Sequence, residues 1–309
     1  MVKPNPPVAL IAGPTASGKS ALGLALADAT GGAVINADSA QLYRDIPILS
    51  AAPSVEDRAR AEHRLYGSRD GADPCSAAEW ARLAKGEIDQ LHQAGRLPIL
   101  VGGTGLYLRT LLDGIAPVPP IDPQIRAEVR GASVGENLAA LILLDPVAAA
   151  SLNPGDTTRI ARALEVVRSS GRTLASWQER SEGGIGSEIA LQPLILLPPR
   201  DWLIERCDRR FSAMVEGGAV AEVEALLARR LNPQLPVMRA IGVRELAALI
   251  CGDFTRDQAI AAGQLATRRY AKRQYTWFSN QPPPAWPRFA EPLGDDNIGA
   301  ALALLRANG

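Results

Sequence analysis

An apolar run, Val8-Ala9-Leu10-Ile11-Ala12, ends on Gly13-Pro14-Thr15-Ala16-Ser17-Gly18-Lys19-Ser20. An Ala- and Leu-rich stretch with a period near 3.6 follows and closes on Gly31-Gly32. The eight residues fit GxxxxGK[ST], and they stand between a buried strand and a helix, the context in which that pattern has physical meaning. Loop N–H groups and the positive end of the helix dipole then hold phosphate oxygens. Lys19 adds a point charge, and the Ser20 hydroxyl suits Mg²⁺. The chance of such a match in a chain of this composition is below about one in a hundred.

The strand, loop and helix sequence recurs. Ala33-Val34-Ile35-Asn36-Ala37 reads as a second strand with Asp38 at its carboxyl end. Residues 77–94 read as a helix stopped by Gly95-Arg96, and residues 97–101 as a third buried strand running into Gly102-Gly103-Thr104-Gly105. This order predicts a parallel sheet covered on both faces. Ligands gather beyond the carboxyl ends of such strands, so Asp38 and Thr104 face the crevice of the first loop. Asp38 suits a general base or a magnesium ligand, or it caps the segment at Ser39. The glycines either admit a ligand closely or make a tight turn.

Pro117-Val118-Pro119-Pro120 interrupts the pattern. Asp122-Pro123 looks like a helix cap with Pro at the first position, and helical segments continue to about Gln178. A Gly/Ser linker at 181–187 precedes another buried strand at 194–197. The expected organisation is α/β: a P-loop NTPase-like parallel sheet core, residues 1–118 and 191–309, with a helical insertion domain at 119–190. Within the insertion, Asp156 reads as a cap, and Arg159 and Arg162 are neighbours on one helix face. From Arg200 the pattern is helical to about Phe278. Residues 267–278 pack Arg268, Arg269, Lys272 and Arg273 among aromatics. Such a face suits a phosphate backbone and unstacked bases, or it is merely a solvated basic face.

Composition narrows the class. Lys and Arg total 33 and so do Asp and Glu, giving zero net charge, so a nucleic-acid partner must be sought in local clusters. Three scattered cysteines and two histidines argue against a zinc site or a disulfide framework and fit a reducing compartment. No apolar run reaches the ~18 residues of a membrane span, and Val8 to Ala12 is short for a signal segment. A cytoplasmic enzyme without a membrane partner is expected.

Six segments, taken in order, resemble the tRNA dimethylallyltransferases, the bacterial tRNA isopentenyltransferase family. They are GPTASGKS at 13–20, NADSAQLYR at 36–44, VGGTGLYLR at 101–109, DTTRIARALEV at 156–166, AIGVREL at 240–246 and TRRYAKRQYTWF at 267–278. The resemblance implies transfer of a dimethylallyl group from dimethylallyl diphosphate to the exocyclic amine of the adenine at tRNA position 37, beside the anticodon. The product is N6-dimethylallyladenosine, and the enzyme is expected to be a monomer that uses Mg²⁺. Gly13, Pro14, Thr15, Ala16, Ser17, Gly18, Lys19 and Ser20 then hold the donor diphosphate in place of ATP, with Ser20 as metal ligand. Asp38 matches the carboxylate that contacts the amine and assists its deprotonation, and Arg210 matches a diphosphate-facing arginine. Lys19, Ser20, Asp38 and Arg210 form the implied catalytic set. Implied tRNA contacts are Asp38, Ser39, Ala40, Gln41, Thr104, Arg126, Thr158, Arg159, Ile160, Ala161 and Arg162. The basic segment adds Arg269, Lys272 and Arg273.

The chain departs from the family's pattern in three places. Ile48-Leu49-Ser50-Ala51-Ala52-Pro53-Ser54 stands where D-I-G-T-A-K-P-S is usual. His63-Arg64-Leu65-Tyr66-Gly67 replaces H-H-L-x-D, and Val243 follows Gly242 in place of Tyr. These changes bear on tRNA contacts and leave the donor loop untouched. A small-molecule P-loop kinase and an adenylate isopentenyltransferase with a free nucleotide acceptor are the alternatives. Neither needs the insertion or the basic aromatic segment.

Overall fold

The computed structural model describes residues 4–306. Strand β1 (Pro7–Ala12) leads through the loop 13–18 into α1 (Lys19–Thr30), which Gly31 ends in the left-handed region at φ 66°. β2 (Ala33–Asn36) is followed by a 3₁₀ turn at Ala40–Leu42, α2 (Val55–Arg60) and β3 (His63–Arg64). α3 (Ala77–Gln93), β4 (Pro98–Gly102) and α4 (Gly105–Asp113) come next. Five helices follow: α5 (Pro123–Gly131), α6 (Val134–Leu144), α7 (Pro146–Ser151), α8 (Thr157–Ser170) and α9 (Leu174–Gln178). β5 (Ala190–Leu196) precedes α10 (Arg200–Glu216), α11 (Ala219–Ala228), α12 (Val243–Ile250) and α13 (Arg256–Asn280), and β6 (Arg288–Phe289) and α14 (Ile298–Arg306) close the chain.

The six strands form one parallel sheet in the order β3-β2-β4-β1-β5-β6. β2 and β4 are wholly buried and β1 nearly so, which is why they read as continuous apolar runs with no alternation. β1 lies at the centre, in register with β4 from Ala9↔Ile99 to Ala12↔Gly102 and with β5 from Pro7↔Ala190 to Ala12↔Ile195. The loop after Ala12 therefore opens in the middle of the sheet's carboxyl edge, beside the turn after Gly102. One face of the sheet packs Ile11, Ile99, Val101, Leu194 and Leu196 against Leu22 and Leu26 of α1 and Ala301 and Leu305 of α14. Burying each such aliphatic side chain contributes about 1.5–3 kcal/mol. Two edge strands of two residues each, β3 and β6, and the helix α14 had no counterpart in the sequence reading.

The chain divides into two compact units, one ending at Leu111 and resuming at Gly186, the other spanning Leu112–Ile185. The divisions fall ahead of the expected 118/119 and 190/191. Pro117 to Pro120 bends the chain inside the second unit, whose two ends are joined further out: Ile115 and Glu182 exchange two backbone hydrogen bonds of 3.0 Å. This unit has its own core of Val129, Leu141, Ile160, Leu164 and Val167. The caps on Asp122 and Asp156 form as read, and Ser133, Asp145 and Thr173 supply three more, each side chain accepting from a first-turn N–H. Among the described residues no helix is long and apolar enough to cross a membrane.

Candidate active site

Two steric facts shape the first loop. Gly13, at φ 151°, passes beneath the Leu196 carbonyl, where a Cβ would lie 2.4 Å from the oxygen. Ala16 occupies the left-handed region at φ 63°, which costs a non-glycine residue about 1–3 kcal/mol unless its surroundings enforce it. Leu203 and Cys207 of α10 and Ala271 of α13 enclose Ala16 and hold the turn. Gly18, left-handed at φ 99°, then releases the chain into α1. The Lys19 ammonium reaches back over the loop and donates to the Pro14 carbonyl at 2.6 Å. The Ser17 hydroxyl is buried without a partner, and the Ser20 hydroxyl is exposed at the start of α1.

The second wall follows β2. Asn36 is fully buried and fixes the next residues: its side-chain oxygen accepts from the Asp38 N–H at 2.7 Å, and its amide donates to the Asp38 and Leu65 carbonyls, each at 3.0 Å. Trp80 of α3 donates to the Asn36 carbonyl at 2.9 Å. The Asp38 carboxylate accepts from the Ala40 N–H at 3.0 Å, closing a local turn ahead of the 3₁₀ segment whose N-cap is Ser39, while the side chain also lines the crevice. The Thr104 hydroxyl accepts from the Ser39 N–H at 3.0 Å, and the Thr104 N–H donates to the Ala37 carbonyl at 3.2 Å. The Gly-rich turn is thus the brace of the Asp38 segment. Gln41 donates to the Ser50 and Ala51 carbonyls at 3.0 and 2.7 Å, while Glu222 accepts from the Ile48 and Leu49 N–H groups at 2.7 and 2.9 Å. The segment at 48–52 is braced from both sides despite its unusual sequence, and Leu49 packs where a Cβ on Gly242 would meet it at 2.6 Å.

Helix α13 lies across both walls. Gln274 accepts from the Thr15 N–H at 2.7 Å and donates to the Gly103 carbonyl at 2.8 Å. A Cβ at Gly103 would strike the Gln274 amide at 2.3 Å, and one at Gly105 would strike the Trp277 ring at 2.5 Å. The glycines of this turn admit a helix of the same chain. Arg210 of α10 donates to the Thr15 hydroxyl.

A crevice of about 310 Å³ results, with Thr15, Asp38, Arg210, Tyr270 and Arg273 among its polar lining and Ile46, Leu49, Phe211, Met214 and Ile241 along an apolar side. Its charges are unbalanced. Burial pushes the Lys19 ammonium down to about 8, partly opposed by the Asp38 carboxylate, and Arg210 pushes it the same way as burial. Burial likewise lowers Arg210. It raises Asp38 above the ordinary carboxylate range, against the Ala40 N–H and the two cations. Burial, then the nearby Asp38 charge, raises the Tyr270 phenol. Two crowded cations facing one carboxylate leave a positive excess that a bound anion relieves. For Mg²⁺ the protein offers hard oxygens only, the Ser20 hydroxyl and the Asp38 carboxylate. Among the described residues no group of three His, Cys, Asp or Glu converges. This set fits an ion that completes its shell with water and diphosphate oxygens.

Thr15, Asp38, Ser39, Ala40, Arg210 and Arg273 line the crevice together. Lys19 bonds to the loop at Pro14 and Thr104 braces Ser39, whereas Ser20 is exposed and Gln41 is spent on the Ser50 and Ala51 carbonyls. Arg269 and Lys272 line a neighbouring hollow with Arg200, Ile204 and Tyr275, while Arg273, one turn from Arg269 on the same exposed helix face, also lines the crevice. Arg268 pairs with Asp208 at 3.1 Å. In the helical unit, Thr158, Arg159 and Arg126 are exposed and Arg162 is half-buried, lowered in pKa chiefly by burial and also by Arg126 and Arg130. Ile160 and Ala161 turn their side chains into the unit's core, so within this segment only Thr158, Arg159 and Arg162 present side chains outward. Gln274, Tyr270, Asn36 and Phe211 were not foreseen as site residues. The signal for Gln274 was present, because Thr267, Ala271, Gln274 and Phe278 share the buried stripe of α13.

The IPP transferase family matches residues 41–281, beginning just after Asp38. A tRNA dimethylallyltransferase of Sphingopyxis alaskensis is 62% identical over 300 residues, 97% of this chain and 98% of the relative, and that match takes in the first loop. Among solved structures, the full-length tRNA isopentenylpyrophosphate transferase from Bacillus halodurans is 31% identical with a TM-score of 0.69, covering 97% of both chains. A eukaryotic dimethylallyltransferase acting on tRNA is 27% identical with a TM-score of 0.76, covering 88% of this chain and 69% of the other. With sequence and fold agreeing along nearly its whole length, the chain belongs to the IPP transferase family.

Proposed function

We infer that this protein is a tRNA dimethylallyltransferase, moving a dimethylallyl group from its diphosphate to the exocyclic amine of the adenine at tRNA position 37. The observation that carries the reading is one crevice in which Arg210 joins the Gly13–Ser20 loop and Asp38 faces them from the opposite wall. An adenine amine is a weak nucleophile, because its lone pair is delocalised into the ring. An allylic diphosphate ionises readily once its leaving charge is neutralised. Lys19, Arg210 and the loop N–H groups stand where that charge develops. Ser20 would hold Mg²⁺, which when bound would further neutralise the diphosphate. Asp38 takes the amine proton as the C–N bond forms, and its raised pKa suits a base that must accept one. The apolar side of Ile46, Phe211, Met214 and Ile241 suits a five-carbon chain and keeps water from an incipient cation. The adenine reaches Asp38 only when it leaves the stack, and Tyr270 and Arg273 offer a ring and a charge beside its path. Arg269, Lys272, Arg126, Thr158, Arg159 and Arg162 supply exposed or half-buried polar groups for the tRNA backbone.

The test is transfer by purified protein from labelled dimethylallyl diphosphate to unmodified tRNA, digested to nucleosides, with and without ATP. N6-dimethylallyladenosine should form without any nucleoside triphosphate, require Mg²⁺ and be suppressed by pyrophosphate. Strict dependence on ATP, or phosphate transfer to a small molecule without tRNA, would restore the kinase.

A further inference from the structure

We propose that Gln274 is a positioning residue that sets the spacing between the diphosphate loop and the acceptor wall, an inference that rests on the function given above. Its carboxamide is buried and lies between two loops far apart in the chain, accepting from the Thr15 N–H at 2.7 Å and donating to the Gly103 carbonyl at 2.8 Å. A backbone N–H only donates and a carbonyl only accepts, so both ends of the amide are used and its orientation is determined. Each partner touches the chemistry. Thr15 also receives Arg210 through its hydroxyl, and Thr104, next to Gly103, receives the Ser39 N–H beside Asp38. One side chain thereby joins Arg210 and the loop to the Asp38 segment, while Gly103 lacks the Cβ that would displace it. The amide is neutral, so it makes this tie without diminishing the positive excess of Lys19 and Arg210. A catalytic set must hold its geometry closely, and a misplacement of about 1 Å costs roughly 10²-fold in rate.

Two variants test the proposal, the near-isosteric Gln274→Met and the charge-bearing Gln274→Glu. Gln274→Met should fold, keep its KM for tRNA and lose about 10²-fold in kcat. In Gln274→Glu a carboxylate still accepts from Thr15 but cannot donate to Gly103, and it adds a negative charge near Lys19, Arg210 and Asp38, with Arg273 the nearby cation on the same helix. Once protonated, the glutamic acid offers the same acceptor and donor as glutamine. Its activity relative to the parent should therefore recover as pH falls through the titration of that buried acid, whereas Gln274→Met should show no recovery. Calorimetry with Mg²⁺ and pyrophosphate, with no tRNA present, should show the same pattern: binding by Gln274→Glu at least ~10-fold weaker at alkaline pH, relieved on acidification. A buried ionised glutamate also destabilises the fold, so both variants are measured where their urea midpoints show them folded; a role in folding alone then leaves the folded protein with parental kcat and pyrophosphate affinity. Parental kcat and pyrophosphate affinity in Gln274→Met, or a Gln274→Glu profile parallel to the parent's, would overturn the assignment. Should the parent bind pyrophosphate yet fail to modify tRNA, the transferase reading falls alone and the pyrophosphate measurements still decide Gln274.

Discussion

Lys19 and Asp38 face each other with proton affinities displaced in opposite senses, the lysine down to about 8 and the carboxylate up, both by burial. The ammonium is required to receive an anion, so kcat/KM for the donor should decline as pH rises through about 8. Lys19→Arg, which stays charged, should abolish that basic limb; a limb that persists would assign it to another group. Fold stability should move the other way. The Lys19 pKa lies below its ordinary 10.5, so the unfolded chain holds the proton more tightly and stability rises between about 8 and 10.5. Loss of activity there is then not unfolding. Asp38→Asn should retain pyrophosphate binding and slow transfer by roughly 10²–10⁴; retained chemistry with lost magnesium binding would make Asp38 a ligand and not a base. Lys19 and Asp38 were legible because each directly follows a recognisable strand or loop. Arg210 sits mid-helix in α10, and only the resemblance pointed to it. Gln274 was hidden in a segment whose basic residues drew attention to the opposite faces of the helix.

At the level of elements, α13 governs the site: Arg273 lines the crevice, and Arg269, one turn away on the same exposed face, lines the neighbouring hollow. Arg269→Ala should lower the salt dependence of tRNA binding by about one unit and leave donor kinetics intact. Arg273→Ala, on the crevice, should also reduce kcat. Identical phenotypes would argue that both arginines see only backbone phosphate. The seat of the helix is testable separately. Gly105→Ala should destabilise the protein by roughly 1–3 kcal/mol, the usual effect of overpacking. In a Trp277→Leu background the same change should be milder, since the ring it strikes is gone; urea midpoints measure both. β1, β2, β4 and β5 could be read as runs of buried aliphatics ending in glycine, an acid or a proline. β3 and β6, two residues each at the sheet's edges, carry no periodicity, and their positions depend on partners far along the chain.

For the whole molecule, the paired ends at Ile115 and Glu182 and the separate core of the helical unit make it removable in principle. Replacing residues 116–181 with a short glycine bridge should yield a folded remainder that binds pyrophosphate and no longer modifies tRNA. Full activity would reduce the insertion to a structural appendage. That two compact parts exist was legible from the proline run and the Gly/Ser linker, but the dividing points were not. They fall after Leu111 and before Gly186, where no local pattern announces them. The order in which the donor loop acquires its supports has a further consequence during translation. Residues 13–20 are made well before their supports, since Gly13 is roofed by Leu196, Thr15 is tied by Arg210, and a further tie comes from Gln274. A nascent chain stalled before α13 carries the complete phosphate-binding sequence without its completed shape, so competence for the donor waits until that helix has been made.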